Sequence, residues 1–259
     1  MTEEWRLIWV DTIGDCYYNM GLDKAILNAV SKEKVPNTIR LYRWEPSAVS
    51  IGYFQSMRNV VNLEQCDKMG VNYIRRITGG GAVYHDYEGE LTYSVNCLNT
   101  ENRLPQDITK IYEIICGGIV DGLTELGVVS EFKPINDIVL QKTGKKISGS
   151  ALTRKQGVVS QHGTILRKVD VERMFSLLIV PDEKIKDKLI SSAKERVSSL
   201  ELELGQAPSF EDIGNALITG LEAKLKIKLV KEEITKEEVS DAEKFAKEQF
   251  KSDEWMFKR

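Results

Sequence analysis

The sequence predicts an α+β fold, a single domain built on a mixed sheet and followed by helices. Three observations carry this. Strand-like and helix-like stretches interleave through the first 170 residues, with apolar positions recurring at period two or at helical spacing. Beyond Asp170 helical periodicity dominates, and lysine and glutamate rise. Neither a repeat nor a low-complexity linker divides the chain. Residues 1–259 therefore read as one domain with a helical extension from about residue 210.

Taken in order, Trp5 to Asp11 alternates as a strand does. Leu22, Ala25, Ile26, Ala29 and Val30 form one helical face. Pro36-Asn37 marks a turn before two strand-like runs, Ile39 to Trp44 and Ala48 to Phe54. Leu63 to Met69 reads as a short helix ended by Gly70. Val71 to Ile77 and Ala82 to His85 are extended stretches on either side of a glycine triplet. Leu91, Tyr93, Val95 and Cys97 alternate with polar residues, as in a strand with one buried face. Ile111, Ile115, Ile119 and Leu123 place a helix over 108–126, stopped by Gly127. Val139-Leu140 and Lys146 to Leu152 suggest a hairpin, and Val158 to Leu166 another strand. Ser209 with Asp212, and Thr235 with Glu238, are spaced as capping boxes for two further helices, ending near Leu225 and Phe250.

Bulk properties exclude several classes. A net charge of −3 does not suit a non-specific nucleic-acid binder. No apolar run reaches membrane-spanning length, and the N-terminus lacks the basic and apolar regions of a signal peptide. A cytoplasmic protein is expected. Cys16, Cys66, Cys97 and Cys116 are scattered and form no CxxC pair. They read as reduced, mostly buried thiols.

The segment RRITGGGAVYHD, Arg75 to Asp86, is the most unusual. It is neither a P-loop nor a dinucleotide fingerprint, because GKS/T and GxGxxG are both absent. Bare backbone between two strands lets a ligand approach closely, and its N–H groups can cradle an anion. A β-bulge flanked by surface arginines explains the composition equally well. GKKISGSA, Gly144 to Ala151, sets a lysine beside small residues. It reads as a binding element with a fixed cation or as a turn decorated with lysines. His162 on a strand, and Asn136-Asp137 after Pro134, have ordinary structural readings as well. Asp137 could also serve as a magnesium or ribose ligand.

The order of RRITGGGAVYHD, NDIVL, GKKISGSA and HGTIL, with LTYSV between the first two, resembles the lipoate–protein ligase A family. The likeness spans roughly residues 5 to 200. It is to the short, bipartite type without a C-terminal accessory domain. The family's fold is similar to biotin protein ligases and class II aminoacyl-tRNA synthetase cores, a mixed and largely antiparallel sheet flanked by helices. The resemblance implies activation of lipoate with ATP and Mg2+ to lipoyl-AMP, then transfer to a lysine of an acceptor domain. Acceptors would be 2-oxoacid dehydrogenase E2 subunits or the glycine cleavage H protein, with a separate small accessory protein assisting.

By the same resemblance Lys146 is the catalytic lysine at the adenylate. Arg76, Thr78, Gly79, Gly80, Gly81, Ala82, Val83, Tyr84 and Asp137 would meet ATP or lipoyl-AMP. Arg76, Gly79, His85, Lys146, Gly149 and His162 would line the lipoate pocket, and Asp137 would hold the metal. Cysteine-dependent octanoyl or lipoyl transferases are similar too. Their nucleophile precedes the lysine strand, where this chain reads Pro134-Ile135-Asn136-Asp137. The missing thiol makes the ATP-dependent ligase the expected activity, ahead of the transferase and of a non-catalytic lipoate-binding protein.

Overall fold

The computed structural model describes residues 2–9, 14–100, 103–180 and 182–259, with nothing said of the side chains of residues 183 and 184. The chain opens with strand β1 (Glu3–Trp9) and helix α1 (Cys16–Ser31), then β2 (Thr38–Tyr42) and β3 (Ala48–Ile51). Short helices α2 (Met57–Val60) and α3 (Leu63–Lys68) precede β4 (Asn72–Arg75), β5 (Val83–His85) and β6 (Glu90–Leu98). Helix α4 (Ile108–Glu125) is followed by strands β7 (Ser130–Lys133), β8 (Asp137–Leu140), β9 (Lys146–Lys155) and β10 (Val158–Leu166). Then come α5 (Val171–Ser176), α6 (Glu183–Arg196), α7 (Leu200–Leu204), α8 (Phe210–Leu225), β11 (Ile227–Lys231) and α9 (Lys236–Phe245). A π-helical turn, Ala246–Phe250, and α10 (Asp253–Met256) end the chain. The last two residues of the strand expected over Trp5 to Asp11 lie outside the described residues.

The main sheet has eight strands in the order β11-β1-β2-β6-β10-β9-β8-β7. Only β1 pairs in parallel, with β11 and β2; the remaining ladders are antiparallel. A second sheet, β4-β3-β5, carries the glycine segment between its outer strands. This is the mixed, largely antiparallel architecture flanked by helices that was expected.

The helices cover the main sheet according to their apolar stripes. Ile111, Ile115 and Ile119 of α4 and Ile213, Leu217 and Leu221 of α8 join Leu41, Tyr93, Val95 and Val159 of the sheet in the largest core cluster. Leu22, Ala25, Ile26 and Val30 of α1 form a second cluster with Val158 and with Ala242 of α9. Both expected capping boxes are present, at Ser209 and Thr235. Glu238 of the second box also takes a bidentate ion pair from Arg6 of β1, at 2.9 and 2.5 Å, which fixes α9 to the sheet. Partner side chains are 0 and 2% exposed, so each charge depends on the other.

Two strands depart from the sequence expectation. β7 and β11 were not anticipated, and they are the two edges of the main sheet. Each pairs on one side only and carries charges, Glu131 and Lys133 in one and Lys228 and Lys231 in the other. Charged edges discourage further pairing and disguise the strand as a polar segment.

Candidate active site

The glycine segment is held by arginines that face opposite ways. Arg75, fully buried, turns toward the C-terminus. Its guanidinium donates to the carbonyls of Tyr53 and Gln55 at 2.8 and 2.5 Å and of Trp255 and Met256 at 3.0 Å each. Arg76 turns into the segment itself. Its Nε donates to Thr78 Oγ1 (3.2 Å), and Nη1 to the carbonyl and hydroxyl of Ser50 (3.2 and 3.0 Å). Nη2 donates to the carbonyls of Gly79 and Gly81 at 2.8 and 2.7 Å. These contacts use all five N–H donors of the guanidinium. Burial lowers the Arg76 pKa to about 10, and no carboxylate among the described residues pairs with it to compensate.

That arrangement gives Arg76 a structural role within the glycine segment. Its fork is already saturated, and it shapes the loop from within. It also explains the bareness of the triplet. Gly80 takes φ of +95°, and a Cβ there would lie 2.8 Å from Arg76 Nη2. At Gly52, on the facing strand end, a Cβ would come within 2.0 Å of the Gly80 carbonyl oxygen. Side chains on Gly79 or Gly81 would meet nothing within 4 Å, so those positions open outward.

His85 ends β5 in a polar line. Its Nδ1 is 2.6 Å from Glu90 Oε1 and its Nε2 is 2.8 Å from Ser50 Oγ. The imidazole stacks on Trp44 at 4.0 Å, and Trp44 Nε1 donates to Thr92 Oγ1, which donates to Glu90 Oε1. Glu90 Oε2 is buried and has no hydrogen-bond partner among the described residues. His162 Nε2 lies 2.8 Å from Thr78 Oγ1. Burial first, then Arg76 and His85, lowers its pKa to about 3, so this imidazole is neutral at physiological pH.

Across from the loop, β9 presents Lys146 and Gly149. Lys146 Nζ lies 2.7 Å from Asp137 Oδ1 and folds over Gly149, where a Cβ would sit 2.6 Å from the ammonium nitrogen. The Lys146 carbonyl accepts from the N–H of Ser198, tying the strand to the segment after α6.

These elements enclose a cavity of about 320 Å³. Of the expected site residues, Arg76, Gly80 to His85, Lys146, Gly149 and His162 border it. Thr78, Gly79 and Asp137 stand one layer back, each engaged by a residue that does border it. Ser50, Glu90 and Thr92 also border the cavity and were missed by sequence reasoning. Their signal was faint, a serine in an apolar strand and a glutamate one residue before an alternating run. Apolar wall comes from Ala82, Tyr84, Leu166, Val169, Val171 and Met174.

Asp137 is the residue expected to hold a magnesium ion. Its Oδ1 pairs with Lys146 Nζ at 2.7 Å, and no group of three His, Cys, Asp or Glu among the described residues is placed to hold a metal by protein ligands alone. All four cysteines are buried and none borders the cavity. Cys116 lies 3.6 Å from Ser150 Oγ of the cavity wall, and burial raises its pKa, the wrong direction for a nucleophilic thiolate. No helix among the described residues is long and apolar enough to cross a membrane.

Comparison with known proteins adds three findings. The lipoyl protein ligase A/B catalytic domain family matches residues 15–222. The octanoyltransferase LipM of Brevibacillus brevis is 34% identical over 99% of this chain and 100% of its own, and further relatives of that name are 31 to 35% identical. Among solved structures, a bipartite lipoate protein ligase studied with its E2 lipoyl domain, from Thermoplasma acidophilum, has a TM-score of 0.88 at 31% identity. It covers 98% of this chain and 96% of that one. A lipoate-protein ligase A bound with ATP has a TM-score of 0.82 at 29% identity, covering 97 and 98%.

The octanoyltransferase relatives overturn the expectation of an ATP-dependent lipoate ligase. That expectation rested on the cysteine missing before the lysine strand. A missing thiol removes one chemical route, whereas acyl recognition and charge stabilisation at the carbonyl are common to transferase and ligase. The relatives are matched end to end, and they lend no support to a separate accessory protein.

Proposed function

Because the chain belongs to the lipoyl protein ligase A/B catalytic family, an enzyme family of lipoylation, we propose that it is an acyltransferase. It moves an octanoyl group from a carrier-protein thioester to a lysine of a lipoyl-acceptor domain. The observation that carries this reading is the match to octanoyltransferases over their whole length. The cavity is compatible with it. Apolar residues from Ala82 to Met174 suit a saturated tail, whose burial contributes about 0.8 kcal/mol per methylene. About 320 Å³ falls at the lower end of ligand-site volumes.

Lys146 is assigned the role of offsetting charge. As a nucleophile adds to the thioester carbon, negative charge develops on the carbonyl oxygen and then on the departing sulfur. An ammonium at the cavity wall stabilises both. Asp137 holds that ammonium in place, and neutral His162 presents an uncharged wall. The acceptor would be a lipoyl domain of the E2 or H-protein kind, entering with its lysine extended.

Competing donors test the reading. The chain is given an apo lipoyl domain and either octanoyl-carrier protein or free octanoate with ATP. Acylation from the thioester without ATP is the expected result. Acylation from octanoate and ATP alone would refute it, as would acyl binding with no transfer.

A further inference from the structure

Ser50, His85 and Glu90 stand in the order hydroxyl, imidazole, carboxylate, at 2.8 and 2.6 Å, and all three border the cavity. With Glu90 accepting from His85 Nδ1–H, the Nε2 lone pair faces the Ser50 hydroxyl. This is the arrangement that activates a serine, a nucleophile joined to a base that a third group orients. Arg76 Nη1 donates to the same hydroxyl oxygen at 3.0 Å, so a developing alkoxide would meet a fixed cation. The backbone N–H groups of Gly80 and Gly81, two residues that border the cavity, have no acceptor among the described residues. Stacking on Trp44 fixes the imidazole plane.

The chain's other histidine lacks this order. His162 bonds Thr78, and no carboxylate contacts it among the described residues. Ser150 bonds Tyr93 and Cys116, with no imidazole beside it. The transferase reading leaves a specific vacancy in the chemistry, because no cysteine borders the cavity to carry the acyl group.

We propose that Ser50 is the acyl-carrying nucleophile of this chain, with His85 as its general base and Glu90 as the residue that positions His85; the proposal rests on the acyl-transfer reading above. In the first step Ser50 Oγ bonds to the thioester carbon and the carbon–sulfur bond breaks. The hydroxyl proton passes to His85 Nε2 and on to the departing thiolate. In the second step the neutral amine of the acceptor lysine attacks the serine ester and the carbon–oxygen bond breaks. The amine proton returns through His85 to Ser50 Oγ. Thioester and amine become amide and thiol, and nothing is oxidised or reduced. Ser50 is 1% exposed, so the ester would be shielded from hydrolysis.

The test is a single-turnover reaction of the full chain with octanoyl-carrier protein, acid-quenched before and after adding apo lipoyl domain, read by intact-protein and peptide mass spectrometry. An octanoyl ester on Ser50 that disappears as the acceptor gains the group is expected. Ser50→Ala should form no adduct and transfer more than about 100-fold more slowly. Ser50→Cys should trap the acyl group as a hydroxylamine-sensitive thioester, a readout that a purely structural serine would not give. Transfer without an ester on Ser50, an adduct on any cysteine, or a Ser50→Ala chain within tenfold of the wild-type rate each overturns the proposal while leaving the acyltransferase reading intact. Absence of any transfer from the thioester overturns both.

Discussion

Gly52→Ala probes why the glycine loop lies where it does. Gly52 has an ordinary backbone conformation, so alanine adds a methyl group and no torsional strain. That methyl would sit 2.0 Å from the Gly80 carbonyl oxygen, with the Gly79 and Gly80 carbonyl carbons at 3.0 and 2.9 Å. All three are backbone atoms, so relief requires moving the loop by about 1.4 Å to reach ordinary contact. A shift of that size takes the 2.8 and 2.7 Å bonds from Arg76 to Gly79 and Gly81 out of hydrogen-bonding range. Overpacking of this kind costs about 1–3 kcal/mol, and the lost charge-assisted bonds add to it, so about 2–4 kcal/mol is expected. For a chain of this length that is about 5–15 °C in Tm. The control is Gly81→Ala, where the methyl meets nothing within 4 Å. It should stay within about 0.5 kcal/mol of wild type while narrowing the cavity and slowing transfer. Thermal melts and transfer rates on both variants decide the matter. A Gly52→Ala protein as stable as wild type, or equal destabilisation by both substitutions, would refute the packing argument.

Three other substitutions separate fold from site. Gly149→Ala displaces the Lys146 ammonium from its 2.7 Å contact with Asp137. Because only a flexible, part-exposed tip must move, melting should barely change while transfer falls about 100-fold. Glu238→Gln leaves Arg6 buried without its counter-charge and should cost about 3–5 kcal/mol in urea unfolding, with the rate per folded molecule unchanged. His162→Gln addresses acid sensitivity. The folded-state pKa of about 3 lies below the ordinary 6.5, so between those values the unfolded chain binds a proton that the folded chain does not. Stability therefore falls as pH drops through that window, by at most about 1.4 kcal/mol per pH unit and less for a ring with partial solvent contact. Urea unfolding at pH 7 and pH 5 should show a smaller loss in the glutamine variant; equal losses would contradict the assignment.

Interior strands and amphipathic helices were legible because burial on one face imprints a period on the sequence. Leu91 to Cys97 and Ile111 to Leu123 carry that imprint clearly. β7 and β11 did not, since an edge strand pairs once and keeps its charges. Arg75 and Arg76 illustrate a harder limit. They are adjacent and chemically identical, yet one secures the C-terminal turn and the other the glycine loop, a difference set by strand alternation and tertiary acceptors. Ser50 and Glu90 were hidden for a related reason, since a polar line across two sheets leaves no spacing signature. The glycine motif and Lys146 marked the cavity well. They did not fix the reaction, because an acyl adenylate and an acyl thioester present the same tail and the same carbonyl to the protein.

Acyl transfer without nucleotide is the reaction assigned to this chain. The most direct measurement is the mass of an apo lipoyl domain incubated with octanoyl-carrier protein and the chain, ATP excluded, alongside pyrophosphate release in a parallel reaction with octanoate and ATP. A gain of one octanoyl group on the acceptor lysine, abolished in Lys146→Gln, with no pyrophosphate released in the parallel reaction, is the predicted result. An unmodified acceptor in the first reaction, with pyrophosphate released and the acceptor acylated in the second, would contradict it.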